Sequence, residues 1–152
     1  MSKYKLIQLT NNNIGVVPAN TYLPLGTVSR KLNAPTEDGS VFYVTSSTSD
    51  IIYLNEPGYY KVTYSANLTA GAAGVMGVTM YINGNSVYTV SETAAAAEDI
   101  VNLTLPYVVR VCPNSCSSPY NCPVSLQFEL GDVATGVTPN GSTTNLIVEK
   151  VW

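Results

Sequence analysis

Gly58-Tyr-Tyr-Lys-Val-Thr-Tyr-Ser-Ala-Asn-Leu68 alternates its side chains with a period of two. Tyr60, Val62, Tyr64, Ala66 and Leu68 fall on one side, and Tyr59, Lys61, Thr63, Ser65 and Asn67 on the other. A helix would scatter the apolar set around its circumference, whereas a strand gathers it on one face. The stretch therefore predicts a long strand with one buried and one wet face. Pro57-Gly58 punctuates its start and Gly71-Ala72-Ala73-Gly74 its end.

Outward from this strand the same pattern recurs. Val75 to Ile82, then Asn83-Gly84, then Ser86 to Val90 predicts a hairpin, because Asn and Gly both tolerate the left-handed conformations of a tight two-residue turn. Tyr4 to Leu9, Ser40 to Val44, Asp50 to Leu54, Asp99 to Val111, Val124 to Leu130 and Asn145 to Val151 supply further strands. Pro106 interrupts the Asp99 to Val111 strand and cannot donate to a central ladder, so it predicts an edge, a bulge or a break. Ile14 to Val17 is a short extended segment, and Pro18 and Pro24 predict irregular extended chain after it. Only Ser91 to Asp99, centred on four alanines, competes as a helix, and it is too short to stand unpacked, so a turn is expected there. The fold class is all-β, and the short strands point to a sandwich rather than a layered α/β domain.

A chain of 152 residues makes one domain and buries roughly 70% of its extended surface. Residues 1–17 are expected as an amino-terminal strand or arm, packing on or extending from a domain of residues 18–152. Apolar types make up 45% and charged types 11%, well below an ordinary charge content. The surface is therefore built of Ser, Thr, Asn, Gly and Tyr, which suits a shell, a fibre or an extracellular module. A net charge of −3 with one basic doublet, Arg30-Lys31, leaves no footprint for a nucleic-acid backbone. Neither an export signal nor an apolar run long enough to span a membrane is present, so no membrane insertion is expected.

The chain has no His, which removes Ser-His and Cys-His nucleophile pairs and histidine-based zinc sites. The acid pairs Glu37-Asp38 and Glu98-Asp99 sit in turn-like sequence, where carboxylates serve solubility and turn chemistry. Neither belongs to an acidic calcium loop with its central glycine. No catalytic, cofactor-binding or metal residue is assigned, and no cofactor is expected. Cys112, Cys116 and Cys122 lack the paired Cys-x2-Cys spacing of a structural zinc site. They predict a loop with Cys112 and Cys122 at its two mouths, able to bridge if the ladder brings their backbones together. Cys116 is then free or available to a subunit contact.

Ile51-Ile-Tyr-Leu-Asn-Glu-Pro-Gly-Tyr-Tyr-Lys-Val-Thr-Tyr-Ser-Ala66, followed by Val78-Thr-Met-Tyr-Ile-Asn-Gly84, resembles the trimeric jelly rolls of the tumour-necrosis-factor and complement globular-head superfamily. The bacterial and phage branch, which includes spore-surface glycoproteins, is the most similar. Pro57, Gly58, Asn83 and Gly84 are the turn determinants of the resemblance. It implies a two-sheet antiparallel jelly-roll sandwich of about ten strands, assembled as a homotrimer. This chain departs from the spore-surface pattern in lacking a collagen-like stalk and in carrying the cysteine-containing insertion. Among the 11 Tyr residues, Tyr60 and Tyr64 are expected in the core. Tyr59, Tyr81 and Tyr107 are candidates for a subunit contact, since an exposed ring buries area while its hydroxyl keeps a polar partner.

These features predict a non-enzymatic displayed protein of a phage virion, such as a head fibre, decoration protein or tail-associated knob. Its partners would be its own copies, other virion proteins and a host-surface glycan or protein, met through the loops Ala70 to Gly77 and Cys112 to Cys122. A spore- or cell-surface module of a bacterium and a carbohydrate-binding lectin are the alternatives.

Overall fold

The computed structural model describes residues 4–12, 14–33, 41–44, 50–113, 120–131 and 141–152. Ten strands follow one another: β1 (Lys5–Asn11), β2 (Thr27–Leu32), β3 (Phe42–Val44), β4 (Ile52–Leu54), β5 (Gly58–Thr69), β6 (Gly74–Ile82), β7 (Asn85–Ala94), β8 (Ile100–Val111), β9 (Val124–Gly131) and β10 (Thr143–Lys150). They form two five-stranded sheets, ordered β2-β1-β10-β5-β8 and β3-β4-β9-β6-β7. Every named strand pair is antiparallel. Apart from the pairs β1-β2, β3-β4 and β6-β7, sequence neighbours are divided between the sheets, as in a jelly roll.

The alternation of β5 is carried through to burial. Tyr60, Val62, Tyr64, Ala66 and Leu68 are buried, and they face Met76, Val78, Met80, Ile82, Leu126, Phe128 and Leu130 in one core. The Tyr64 ring stacks on Phe128 at 4.1 Å between centroids and 7° between planes. Each aliphatic side chain buried this way contributes about 1.5–3 kcal/mol relative to exposure. The Asn83-Gly84 hairpin forms with φ of 52° and 80°. Asn83 Oδ1 also accepts the Ser125 backbone N–H at 3.0 Å, which ties the turn to β9. Pro106 lies in β8 opposite Thr63, and β8 is an edge strand, where a missing donor costs least.

Three expectations change. β2 was not anticipated, because all six of its residues are exposed and no alternation marks them. Gly26 (φ +85°) admits it: a Cβ there would lie 2.0 Å from the Thr10 carbonyl oxygen, so only glycine lets the chain turn in beside β1. No change is needed for Ile14 to Val17, which belongs to no strand, or for the chain after it, which is irregular as expected and pinned on β9 by Leu23 N–H to Phe128 O at 2.7 Å and Asn20 N–H to Leu130 O at 2.8 Å. The alanine run is divided: β7 extends to Ala94, and a turn follows in which Asp99 Oδ2 accepts the Ala96 N–H at 3.0 Å. The connector expected over Ala70 to Gly77 shortens, since β6 begins at Gly74 and Met76 is fully buried.

Lys5–Asn11 is no free arm. As β1 it lies between β2 and β10 with Ile7 and Leu9 fully buried, so removing residues 1–12 would open the sandwich rather than detach an appendage.

Candidate functional site

The outer face of the first sheet is built by the residues that β1, β10, β5 and β8 turn away from the core. Register aligns them in rows. One runs Gln8, Ile147, Thr63, Pro106; the next Thr10, Asn145, Ser65, Thr104; a third Thr143, Asn67, Asn102. None of these residues is charged. Gln8 Nε2 donates to Asn145 Oδ1 at 2.8 Å, and Asn67 Nδ2 to Thr143 Oγ1 at 3.3 Å. Charge begins in the row Leu6, Glu149, Lys61, Val108, and Arg110 follows opposite Tyr59. At the far margin β2 sets Arg30 beside Gln8. The face therefore has an uncharged, hydroxyl- and amide-rich part and a charged end.

At that end a cleft of about 570 Å3 opens where the start of β5, the end of β8 and the tail of β10 meet. The tail continues the ladder: Val151 N–H donates to Tyr59 O at 2.9 Å and Tyr59 N–H to Trp152 O at 3.2 Å. Gly58 makes this approach possible, because a Cβ on it would lie 2.2 Å from the Trp152 carbonyl oxygen. In the lining of the cleft Trp152 is 74% exposed and Tyr59 40% exposed. The Arg110 guanidinium carbon lies 5.9 Å from the centre of the Tyr59 ring.

Behind the cleft, Glu56 binds two cations, Lys5 Nζ at 2.9 Å and Lys150 Nζ at 3.4 Å. Burial pushes the Glu56 carboxyl up, but the hydrogen bonds and charges of Lys5 and Lys150 prevail and hold it below the usual range. The Tyr60 hydroxyl donates to the Glu56 carbonyl at 2.6 Å, and burial, reinforced by the Glu56 charge, pushes its own ionisation upward. Tyr4 donates to Glu149 on the outer face.

The cysteines correct an expectation. Cys112 and Cys122 do approach at the loop mouth, with Cys122 N–H donating to Cys112 O at 3.0 Å and Cys112 N–H to Tyr120 O at 2.8 Å. They do not bridge: Cys112 is disulfide-bonded, while Cys122 is a free thiol. Backbone pairing closes the mouth, and Cys122 Sγ is directed at the Cys112 carbonyl, 3.3 Å away, instead of at its sulfur. Burial chiefly, and the Glu56 charge after it, push the Cys122 thiol up, which keeps it a neutral donor. Cys116 and the pair Glu37-Asp38 lie outside the described residues.

The three candidate contact tyrosines do not converge. Tyr59 lines the cleft. Tyr81 is in the other sheet, edge-on to Tyr22 at 5.5 Å. Tyr107 is half-buried against the core and lies 6.2 Å from Tyr88 across the seam between β7 and β8. Pro57 and Gly58 border the cleft, while Asn83 and Gly84 form the remote hairpin. Sequence reasoning missed Arg110, Lys150 and Trp152. The available signal was the lone Trp following an alternating strand. Among the described residues no three metal-ligating side chains converge, and no helix is long and apolar enough to cross a membrane.

No protein-family profile matches the chain, and no curated protein sequence is significantly similar to it. Solved structures are similar to it over nearly their whole length. The globular domain of zebrafish complement 1qA protein has a TM-score of 0.67 at 10% identity, covering 99% of this chain and 98% of its own. The PRD1 vertex protein P5 has a TM-score of 0.64 at 13% identity, with 97% of each chain covered. The tumour necrosis factor Eiger from S. frugiperda has a TM-score of 0.62 at 7% identity, covering 98% of this chain and 92% of its own. Such identities speak for the fold alone, and with the strand order described above they show that the chain has the tumour-necrosis-factor and complement-head type of jelly roll.

Proposed function

We propose that the chain is a non-catalytic module displayed on a phage virion, a head-fibre, decoration or tail-knob protein, that works by assembling as a homotrimer and presenting its surface to other virion proteins and to the host. The observation that carries this reading is the uncharged part of the outer sheet face. Residues that lie on a threefold axis meet copies of themselves, so a charge there meets like charges, whereas contacts away from the axis join unlike patches. Ser, Thr, Asn and Gln each carry both a donor and an acceptor and so complement their own copies. The rows from Gln8 to Asn102 consist of such residues with Ile147 and Pro106. The likeness in fold to the PRD1 vertex protein P5 supports the setting on a virion.

Light scattering coupled to size exclusion tests the assembly. The expected mass is about three times the 16.2 kDa of one chain. Ser65→Lys with Thr104→Lys, which sets cations in the middle of the face, should give a folded monomer. A wild-type monomer at all concentrations, or a trimer indifferent to the two lysines, would refute the assignment. Peptide mass mapping of purified native particles tests the location, and absence of the chain from them would exclude it.

A further inference from the structure

We infer that the cleft formed by Tyr59, Arg110, Lys150 and Trp152 binds an acidic sugar, a pyranose ring that carries one carboxylate. The cleft lies beyond the uncharged rows assigned to subunit contact, so this site is a second property of the molecule and does not rest on trimer assembly.

The volume of about 570 Å3 falls within the range of small-ligand sites. Its described lining holds two cations, two large aromatic rings and no carboxylate side chain. The two cations are not equivalent. Lys150 is already engaged by Glu56 at 3.4 Å. Arg110 forms no ion pair among the described residues. Its planar guanidinium has five N–H donors arranged to grip a carboxylate through two parallel hydrogen bonds. One cation without an ion pair matches a monoanion, which favours a carboxylate over a phosphate dianion.

The aromatic part of the site argues for the ring. The Trp152 carbonyl accepts the Tyr59 N–H and the Val151 N–H donates to Tyr59 O, yet Trp152 remains 74% exposed. An exposed apolar ring on an anchored stretch of backbone, lining the same cleft as a second exposed ring, is a platform for a ligand with one apolar face. A pyranose has such a face in its axial C–H groups, and hydroxyls around its edge that remain in water. With the C–H face on Tyr59 or Trp152, an exocyclic carboxylate can turn toward Arg110. The open side of the cleft admits a terminal residue of a longer glycan.

Saturation-transfer NMR and calorimetry on the full chain test the site, with glucuronic acid and 3′-sialyllactose as probes and lactose as the neutral control. Both acidic probes should bind and lactose should not. Arg110→Gln and Trp152→Ala should each weaken binding by about tenfold or more, with melting temperature and assembled mass unchanged. Arg110→Lys, which keeps the charge but not the fork, should fall between wild type and Arg110→Gln. Lack of transfer to either acidic probe overturns the inference, as does lactose binding equally well or full affinity in Arg110→Gln. A loss of assembled mass in Arg110→Gln or Trp152→Ala also overturns it, because a second copy of the chain would then occupy the cleft.

Discussion

Replacing Gly58 by Ala places a methyl group where the tail of β10 leaves no room. Its Cβ would lie 2.2 Å from the Trp152 carbonyl oxygen and 2.8 Å from Lys150 Cε, with φ at +147°. Carbon–oxygen contacts settle at about 3.3–3.6 Å, so the tail must withdraw by about 1 Å or more. That movement breaks the Tyr59 N–H to Trp152 O hydrogen bond of 3.2 Å, a net loss of about 1 kcal/mol. The backbone conformation adds strain of about 1–3 kcal/mol for a residue with a Cβ. Gly58→Ala should therefore cost about 3 kcal/mol, or roughly 6–12 °C in melting temperature for a chain of this size. Gly84→Ala is the control, since Gly84 has φ of +80° but nothing within 4 Å of the added atom. It should cost only the left-handed strain, about 1–2 kcal/mol. Urea unfolding followed by circular dichroism at fixed protein concentration gives the two midpoints. Trp152 is the chain's single Trp, so fluorescence anisotropy reports the tail directly and should fall in native Gly58→Ala but not in native Gly84→Ala. Equal midpoints with unchanged anisotropy would mean that the tail is not seated on β5.

Two shorter predictions follow from the groups behind the cleft. Because the folded Glu56 carboxyl is held below its ordinary value of 4.5, it contributes stability above that pH and loses it as pH falls through the lower folded value. Glu56→Gln should be less stable than wild type at pH 7 by no more than about 1 kcal/mol at this exposure, and the two melting curves should converge as the pH drops below 4.5; curves parallel down to pH 3 would contradict the assignment. Alkylation of the native protein without reductant should modify Cys122 and spare Cys112, as peptide mapping would show. Cys112 modified before reduction would refute the disulfide.

Where local pattern decides structure, the sequence was sufficient. The two-residue alternation in Gly58–Thr69 gave its own burial order, because in a strand neighbouring side chains point to opposite faces whatever lies around them. The Asn83-Gly84 turn and the exclusion of Pro106 from a central ladder were legible for the same reason, since each depends on the conformational limits of one or two residues; of the edge, bulge or break that Pro106 allowed, the sheet order selected the edge. β2 was not legible, since a strand exposed on both faces has no alternation to display, and the room it needs is set by Gly26 against Thr10.

The functional surfaces depend on which distant strands become neighbours. The alternation told that Thr63, Ser65 and Asn67 would be wet, but the uncharged face exists only because β10 and β8 flank β5 in a register that aligns them with Asn145, Thr104 and Asn102. The cleft unites residues 58–59, 110–113 and 150–152, which no local pattern connects. The cysteines show the same division, since their spacing placed Cys112 and Cys122 at one mouth, while the direction of Cys122 Sγ toward a carbonyl was set by the ladder around it. Side-chain period is a property of a few consecutive bonds and is written in the sequence; register between remote strands is chosen by the packing of the whole sandwich, and only the tertiary structure decided it.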